Sequence, residues 1–190
     1  MTTEPTPELV REVWAFLQKR YNTVVRQKSK APLMRMAGRI VSRRTDMPRE
    51  EFMTNAVTTI GRRIYVPFTI GEETPGWSLT SQLILAAHEH THVEQWRKKP
   101  LRFWTRYARD TRFRALAEAE GLITEFETAY VFELAWDSVD ARIATLDGYG
   151  ITDADKAAAR KLVEDRTWHG PMTEVGKALL DWRMKLGRLA

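Results

Sequence analysis

Three of the chain's four histidines lie within five residues, and their spacing constrains the local fold more than any other feature of the sequence. They are His88, His90 and His92, and Glu89 follows the first of them directly. Side chains four residues apart on an α-helix lie on one face, with Cβ atoms ~5–6 Å apart. We therefore predict that this segment is helical and that His88 and His92 bind one zinc ion, at Zn–N distances of ~2.0–2.1 Å.

Glu89 and His90 occupy other faces of the same predicted helix. Glu89 follows His88 by ~100° around the axis, where it reaches a water on the metal but not the metal itself. This is the HExxH arrangement, which predicts Glu89 as a general base. His90 lies ~200° from His88 and is expected to be a supporting or surface residue. The apolar run Leu83–Ala87 precedes the motif, as a buried catalytic helix requires.

The composition narrows the kind of site and the kind of protein. Cysteine is absent, so disulfides and thiolate zinc sites are excluded and a metal must be held by His, Asp or Glu. A length of 190 residues fits a single domain over residues 1–190. The N-terminus is polar, and no apolar run approaches the ~20 residues of a membrane helix. We expect a cytoplasmic protein without a membrane partner, although secretion by a non-classical route stays open.

The chain is basic, with a net charge of +5 and a pI of about 9.6. The basic clusters are Arg26–Lys30, Arg43–Arg44, Arg62–Arg63 and Arg97–Lys99. They are scattered along the sequence, and no nucleic-acid-binding motif accompanies them. A solvated surface is therefore favoured, and a nucleic-acid partner stays open without being favoured.

Hydrophobic periodicity predicts a mainly α (α+β) fold with a small sheet before the HExxH helix. Helices are predicted over residues 7–29, 33–45, 78–98, 101–110, 112–136, 152–166 and 172–186. Residues 60–66 are rich in β-branched and aromatic side chains, which predicts a strand. Turns are predicted at 71–76 and 147–150, and Pro100 is expected to end the helix that carries the histidines.

At these residues the sequence resembles the HExxH zincin metallopeptidases. One similar feature is the HExxH motif itself, followed by Val93 and Gln95, and another is the strand before it, Gly61–Val66. The third is Glu118-Ala119-Glu120-Gly121, which is similar to the E-x-x-A pattern of gluzincin-type members, with Gly121 in place of alanine. The resemblance covers roughly residues 58–125.

The resemblance implies a third metal ligand on a later helix. Matched to the E-x-x-A pattern, that ligand is Glu118. Glu120 is the alternative, because it lies nearer the apolar stripe of its helix, and Glu125 is the third choice. Gly121 would let this helix pack close to the histidines. His169 is a further candidate, as a third ligand or as a hydrogen-bond donor to the transition state, although an ordinary loop histidine is favoured.

The function that the resemblance implies is zinc-dependent hydrolysis of peptide bonds in a peptide or protein substrate. Glu89 would activate the water, Tyr107 or Tyr130 would donate to the oxyanion, and the edge of the strand at Tyr65–Val66 would align an extended peptide. One alternative is a non-catalytic, metal-stabilised structural or binding module with a zincin-like core, such as a phage or secretion-apparatus component. Another is a DNA-associated protease. The oligomeric state is left open.

Overall fold

The computed structural model describes residues 4–44, 48–170 and 172–187, without the side chains of residues 40–44, 101, 168 and 169. Helices dominate it, and a three-stranded sheet precedes the histidine-bearing helix, which confirms the predicted mainly α (α+β) class. The helices are α1 Pro7–Tyr21, α2 Pro32–Arg44, α3 Arg49–Asn55, α4 Leu79–Lys98, α5 Pro100–Arg109, α6 Thr111–Phe132, α7 Val139–Ala144, α8 Asp153–His169 and α9 Glu174–Lys185. The strands are β1 Val24–Gln27, β2 Thr58–Ile60 and β3 Arg63–Val66. Among the described helices, none is both long and apolar enough to cross a membrane.

Polar side chains fix where the helices begin. The N-cap side chains that accept from a main-chain N–H are Thr6, Ser78, Asp110, Ser138, Thr152 and Thr173. Each satisfies one of the four N–H groups that a helix leaves unpaired at its start. Pro100 lies in the first turn of α5, so the residue that was expected to end α4 also begins the next helix.

The first predicted helix and the predicted strand both divide differently in the structure. The helix expected over residues 7–29 ends at Tyr21, because Asn22 adopts a left-handed conformation and residues 24–27 form β1. The strand expected over residues 60–66 is interrupted by Gly61 at a φ of +62°, which turns the chain from β2 back into β3. β1 depends on pairing with the distant strand β3, which outweighs the local helical pattern, whereas β2 and β3 form a local hairpin around Gly61.

The sheet has the order β1-β3-β2, with β1 parallel and β2 antiparallel to β3. The strand that contains Tyr65 and Val66 is therefore central and paired on both sides, and the prediction that it offers a free edge is wrong. Among the described residues the outer edges belong to β1 and β2. Thr59 in β2 pairs with Ile64 in β3, and β2 is the strand that contacts α4.

The later helices also depart from the sequence pattern. α3 and α7 were not predicted, because each has only one or two turns and too few apolar positions to show a period. The helix expected over residues 112–136 ends at Phe132, where Glu133 adopts a left-handed conformation. The turn expected over residues 147–150 is largely a 3₁₀ segment, Thr145–Tyr149.

His90 belongs to the packed core between α1, α4 and the sheet, so the expectation that it lies at the surface is wrong. Its side chain is fully buried beside Trp14 and Tyr21. Nδ1 donates to the carbonyl of Ala86 at 2.6 Å, and Nε2 accepts from the hydroxyl of Thr23 at 2.9 Å. Burial lowers the pKa of His90 to about 4, so the ring is neutral and ties α4 to the chain before β1.

Lys28 is a buried lysine at the end of β1. Its ammonium donates to the carbonyls of Phe52 at 2.5 Å and Ala56 at 2.9 Å, and lies over the ring of Phe52. These bonds anchor the C-terminal end of α3 to the sheet. Burial lowers the pKa of Lys28 from 10.5 to about 7, and the charge of Glu89 opposes that effect only in part.

The lowered pKa of Lys28 predicts a pH-dependent stability. Between the folded and unfolded pKa values the unfolded chain holds one more proton, so this group makes the free energy of unfolding rise with pH. The stability of the wild type relative to Lys28→Met should increase by about 2 kcal/mol between about pH 7 and about pH 9. Urea unfolding of both proteins at the two pH values measures the difference. Parallel pH profiles would show that the buried amine keeps an ordinary pKa.

Candidate metal centre

Helices α4 and α6 bring together two imidazoles and one carboxylate. The Nε2 atoms of His88 and His92 lie 3.0 Å apart. The carboxylate oxygens of Glu118 lie 3.5 Å from Nε2 of His88 and 3.4 Å from Nε2 of His92. All three side chains are buried, and together they form a group that could hold a metal ion.

The spacing of these atoms fits a single small cation. Protein ligands bind zinc at ~2.0–2.2 Å, so two ligand atoms on one ion at a near-tetrahedral angle lie roughly 3.4 Å apart. The three observed separations, 3.0, 3.4 and 3.5 Å, lie close to that value. No large rearrangement is needed for His88, His92 and Glu118 to share an ion.

The hydrogen bonds of Gln95 determine which ring nitrogen of His92 carries a proton. The amide nitrogen of Gln95 donates to the carbonyl of Ala117 and to the carboxylate of Glu120, each at 2.9 Å. A carbonyl can only accept, so the other end of the amide, Oε1, is the atom that lies 2.9 Å from Nδ1 of His92. Nδ1 must therefore carry the proton, and Nε2 of His92 presents its lone pair to the site.

Glu125 has the same effect on His88. One carboxylate oxygen of Glu125 lies 2.7 Å from Nδ1 of His88, and the other is paired with the guanidinium of Arg142. Because Arg142 holds Glu125 as a carboxylate, Nδ1 of His88 donates and Nε2 faces the site as an acceptor. Glu125 therefore supports a histidine instead of joining the ligand group.

The result is a buried cluster of acceptors that requires positive charge. Burial acts to lower the pKa of His88, but its hydrogen bonds to Glu118 and Glu125 outweigh burial and raise that pKa well above the usual range. Burial likewise acts to lower the pKa of His92, and the charge of Glu118 raises it. For Glu118 burial acts to raise the pKa, and the two histidines hold it far below the usual value. Either protons or a metal cation can supply that charge.

Gly121 makes the close approach of the two helices feasible. A Cβ atom at this position would lie 2.5 Å from Cε1 of His88 and 2.8 Å from both ring nitrogens. Any larger residue would displace the imidazole from the line between Glu118 and Glu125. The structure thus has the close packing that the sequence resemblance implied for Gly121.

Glu89 lies beside the cluster of His88, His92 and Glu118 and is held by the sheet. The hydroxyl of Thr59 in β2 donates to Oε2 of Glu89 at 2.5 Å. Glu89 itself is buried on α4 and is not one of the three clustered ligands. One carboxylate oxygen is thus fixed by β2, while Oε1 has no hydrogen-bond partner among the described residues.

Two tyrosines singled out from the sequence have different surroundings. The hydroxyl of Tyr107 on α5 donates to Glu118, and burial together with the charge of Glu118 raises its pKa well above the usual value. The hydroxyl of Tyr107 thus stays protonated and donates to Glu118, one of the three candidate ligands. Tyr130 is 74% exposed and lies twelve residues from Glu118 on α6, or ~18 Å along the helix. The expectation that Tyr130 serves the site is wrong.

Tyr149 is 42% exposed but lies within the electrostatic influence of the cluster, although nothing in the sequence pattern indicated it. The charge of Glu118 is the main cause that raises the pKa of Tyr149 well above its usual value, followed by burial and by the charge of Glu89. The Arg114 guanidinium donates to the main-chain carbonyls of both Tyr149 and Tyr107, at 2.6 and 2.7 Å. Tyr149 ends a 3₁₀ segment that the sequence showed only as a turn, and loops often carry functional side chains.

Two candidates remain from the sequence, Glu120 and His169. Glu120 is exposed and bound to Gln95, so it does not face the histidines. His169 is the last residue of α8, and Gly170 is the C-cap of that helix. The main chain of His169 is therefore helical and does not lie in a loop. The side chain of His169 lies outside the described part of the chain.

No protein-family model, curated protein or solved structure matches this chain. The similarity to HExxH zincins therefore rests on the residues themselves: His88, Glu89, His92 and Glu118.

The packing at Gly121 predicts a specific loss of metal affinity. In Gly121→Ala the added methyl group overlaps His88, so the imidazole must rotate away from Glu118. Zinc affinity, measured by competition with a chelator, should fall about 10- to 100-fold, the range known for changes that disturb ligand orientation. Helix content should stay unchanged, since alanine favours helices more than glycine does. Equal zinc affinity in both proteins would contradict the close contact.

Proposed function

We propose that this protein is a zinc-dependent metallopeptidase in which His88, His92 and Glu118 hold the zinc ion. The observation that carries the proposal is the tautomer of the two histidines. Both Nδ1 atoms are committed to acceptors, on Glu125 and Gln95, so both Nε2 lone pairs converge on the Glu118 carboxylate. Such a cluster is stable only when protons or a metal cation supply positive charge, and zinc prefers this set of nitrogen and oxygen ligands.

The number of ligands favours a catalytic role over a structural one. Structural zinc sites are closed by four protein ligands, whereas catalytic sites have three and leave one position open. Among the described side chains, His88, His92 and Glu118 are the ones that form such a group. A structural site would also have no use for Glu89, which is buried beside the cluster and costs free energy to keep there.

In the proposed reaction Glu89 is the base and later the acid. A zinc ion in the site supplies Lewis acidity, which makes water more acidic and polarises a carbonyl group. Oε1 of Glu89 takes a proton from the water that adds to the peptide carbonyl carbon. Glu89 then gives this proton to the amide nitrogen as the C–N bond breaks, so that an amine leaves. The hydroxyl of Thr59 holds Oε2 and keeps the carboxylate oriented.

Other residues of the chain orient the substrate in this proposal. The outer edge of β2 has no main-chain partner among the described residues, and Thr59 in this strand contacts Glu89. A peptide paired with this edge in an extended conformation would run past Glu89. The hydroxyl of Tyr149, which remains protonated at neutral pH, is the donor we assign to the oxygen on which negative charge develops.

The ligand assignment predicts different results for two neighbouring glutamates. Glu118→Ala removes one of three ligands, so the purified variant should lose the single equivalent of zinc that the wild type retains after dialysis. Glu120→Ala is the matched control, because Glu120 is exposed and its carboxylate accepts a hydrogen bond from Gln95 and from no other described residue. It should retain zinc with an affinity within about tenfold of wild type, the lower limit for a change outside the direct ligands. Elemental analysis measures the metal content. A wild type that stays free of zinc would contradict the proposal.

The base assignment predicts a variant that binds metal but turns over poorly. Glu89→Gln keeps the size of the side chain and removes its basicity, so zinc content and unfolding temperature should be those of wild type. Hydrolysis of a quenched-fluorescence peptide library should fall by ~10²-fold or more. Thr59→Val, which frees Glu89 without altering it, should cause a smaller loss. Equal turnover of Glu89→Gln and wild type would exclude Glu89 as the base.

A further inference from the structure

The exposed face of α5 carries a row of cations. Arg102, Arg106 and Arg109 are spaced four and three residues apart, which places them on one side of the helix, and Lys99 precedes them as its N-cap. All four side chains are exposed. We call these four residues the basic stripe. At 1.5 Å per residue the stripe is ~15 Å long.

The stripe lies in one of two strongly basic stretches of the chain. Residues 97–112 contain seven lysines and arginines and a single acid, Asp110, which exceeds the net charge of +5 for the entire chain. Arg106 is paired with Asp110 at 3.0 Å. The other three members, Lys99, Arg102 and Arg109, have no acidic partner among the described residues. The other basic stretch, residues 13–45, has nine lysines and arginines and no acid, and acids elsewhere in the chain offset the charge of both.

The electrostatics of α5 oppose this arrangement. Like charges three and four residues apart on a helix repel each other, as Arg102 and Arg106 do. The N-terminal end of a helix favours acids, yet the first turn of α5 has none and begins beside Lys99. Lys99 and Arg102 thus weaken the start of the helix, whereas Arg106 and Arg109 lie in its last turn, where cations are favourable. The two cations at the N-terminal end therefore indicate a role in binding and not in stability.

The stripe is attached directly to the candidate metal centre. Tyr107 lies on the neighbouring face of α5 and donates to Glu118, and the preceding helix α4 carries His92 seven residues before Lys99. A chain held along the stripe would be anchored within a few residues' length of Glu89.

We propose that the basic stripe is a docking site for an acidic segment of the protein substrate, separate from the bond that is cleaved; this inference rests on the proposed function. A length of ~15 Å corresponds to about five residues of extended peptide. Three unpaired cations suit so short a partner. A nucleic-acid complex with about 6–10 phosphate contacts would need more cations than the three unpaired ones of the stripe.

Binding is tested directly with a fluorescently labelled peptide of alternating glutamate and glycine. Fluorescence anisotropy is measured on the zinc-loaded Glu89→Gln protein, so that the peptide is not cleaved. Binding should weaken as salt rises from about 0.01 M to about 0.15 M, since the screening length falls from ~30 Å to ~8 Å. Adding Arg102→Glu and Arg109→Glu should weaken it by at least about tenfold, because the new charges repel the peptide. The matched control reverses Lys19 and Arg62, two exposed cations without an acidic partner among the described residues, and should bind as before.

Kinetics distinguish this inference from the proposed function. With wild-type Glu89, the stripe reversal should raise KM for a substrate with an acidic tail and leave kcat and the hydrolysis of tail-free peptides unchanged. The docking site is overturned if both reversals weaken binding equally, if neither does, or if a DNA duplex binds more tightly than the peptide at the same salt. Absence of hydrolysis by wild type, with stripe-dependent peptide binding intact, would instead overturn the peptidase.

Discussion

The structure depends on how two buried imidazoles are held by their outer nitrogens. Gln95 accepts from His92 and the pair of Glu125 with Arg142 accepts from His88, so the inner nitrogen of each ring is left as an acceptor. Facing Glu118, these groups form an arrangement that either protons or a metal cation must stabilise. Gln95 lies on α4 beside His92 and donates to α6. Glu125 joins α6 to α4, and Arg142 joins α7 to α6, so the geometry of the centre and the packing of the helices are one constraint.

Close packing around the centre maintains the positions of His88, His92 and Glu118. Gly121 removes the one side chain that would separate the two helices, and Tyr107 fixes the carboxylate of Glu118 from α5. On the opposite side, His90 is neutral and binds the core, although it lies between the two candidate ligands in sequence. Histidines only two residues apart on α4 thus differ in role, because their side chains lie on different faces of the helix and contact different neighbours.

The sequence was most informative where the chemistry is local. His88, Glu89 and His92 lie within one helical turn, so their spacing alone predicts which faces they share, and Gly121 marks the helix that packs against them. Contacts between distant residues left no such pattern. β1 was hidden in a helical period, and its strand conformation depends on pairing with β3, nearly forty residues away. Arg142 and Tyr149 come from segments too short to show a period, and their roles depend on where the chain returns.

The central claim is that the inner nitrogens of His88 and His92, together with Glu118, form one zinc site with an open position. X-ray absorption spectroscopy at the zinc edge of the purified, zinc-loaded protein tests it most directly. The account predicts about four nitrogen and oxygen ligands at ~2.0–2.1 Å, with the outer-shell scattering of two imidazoles and no sulfur. A spectrum of six oxygen ligands without imidazole scattering would contradict it, because the ion would then be bound at the surface and not between α4 and α6.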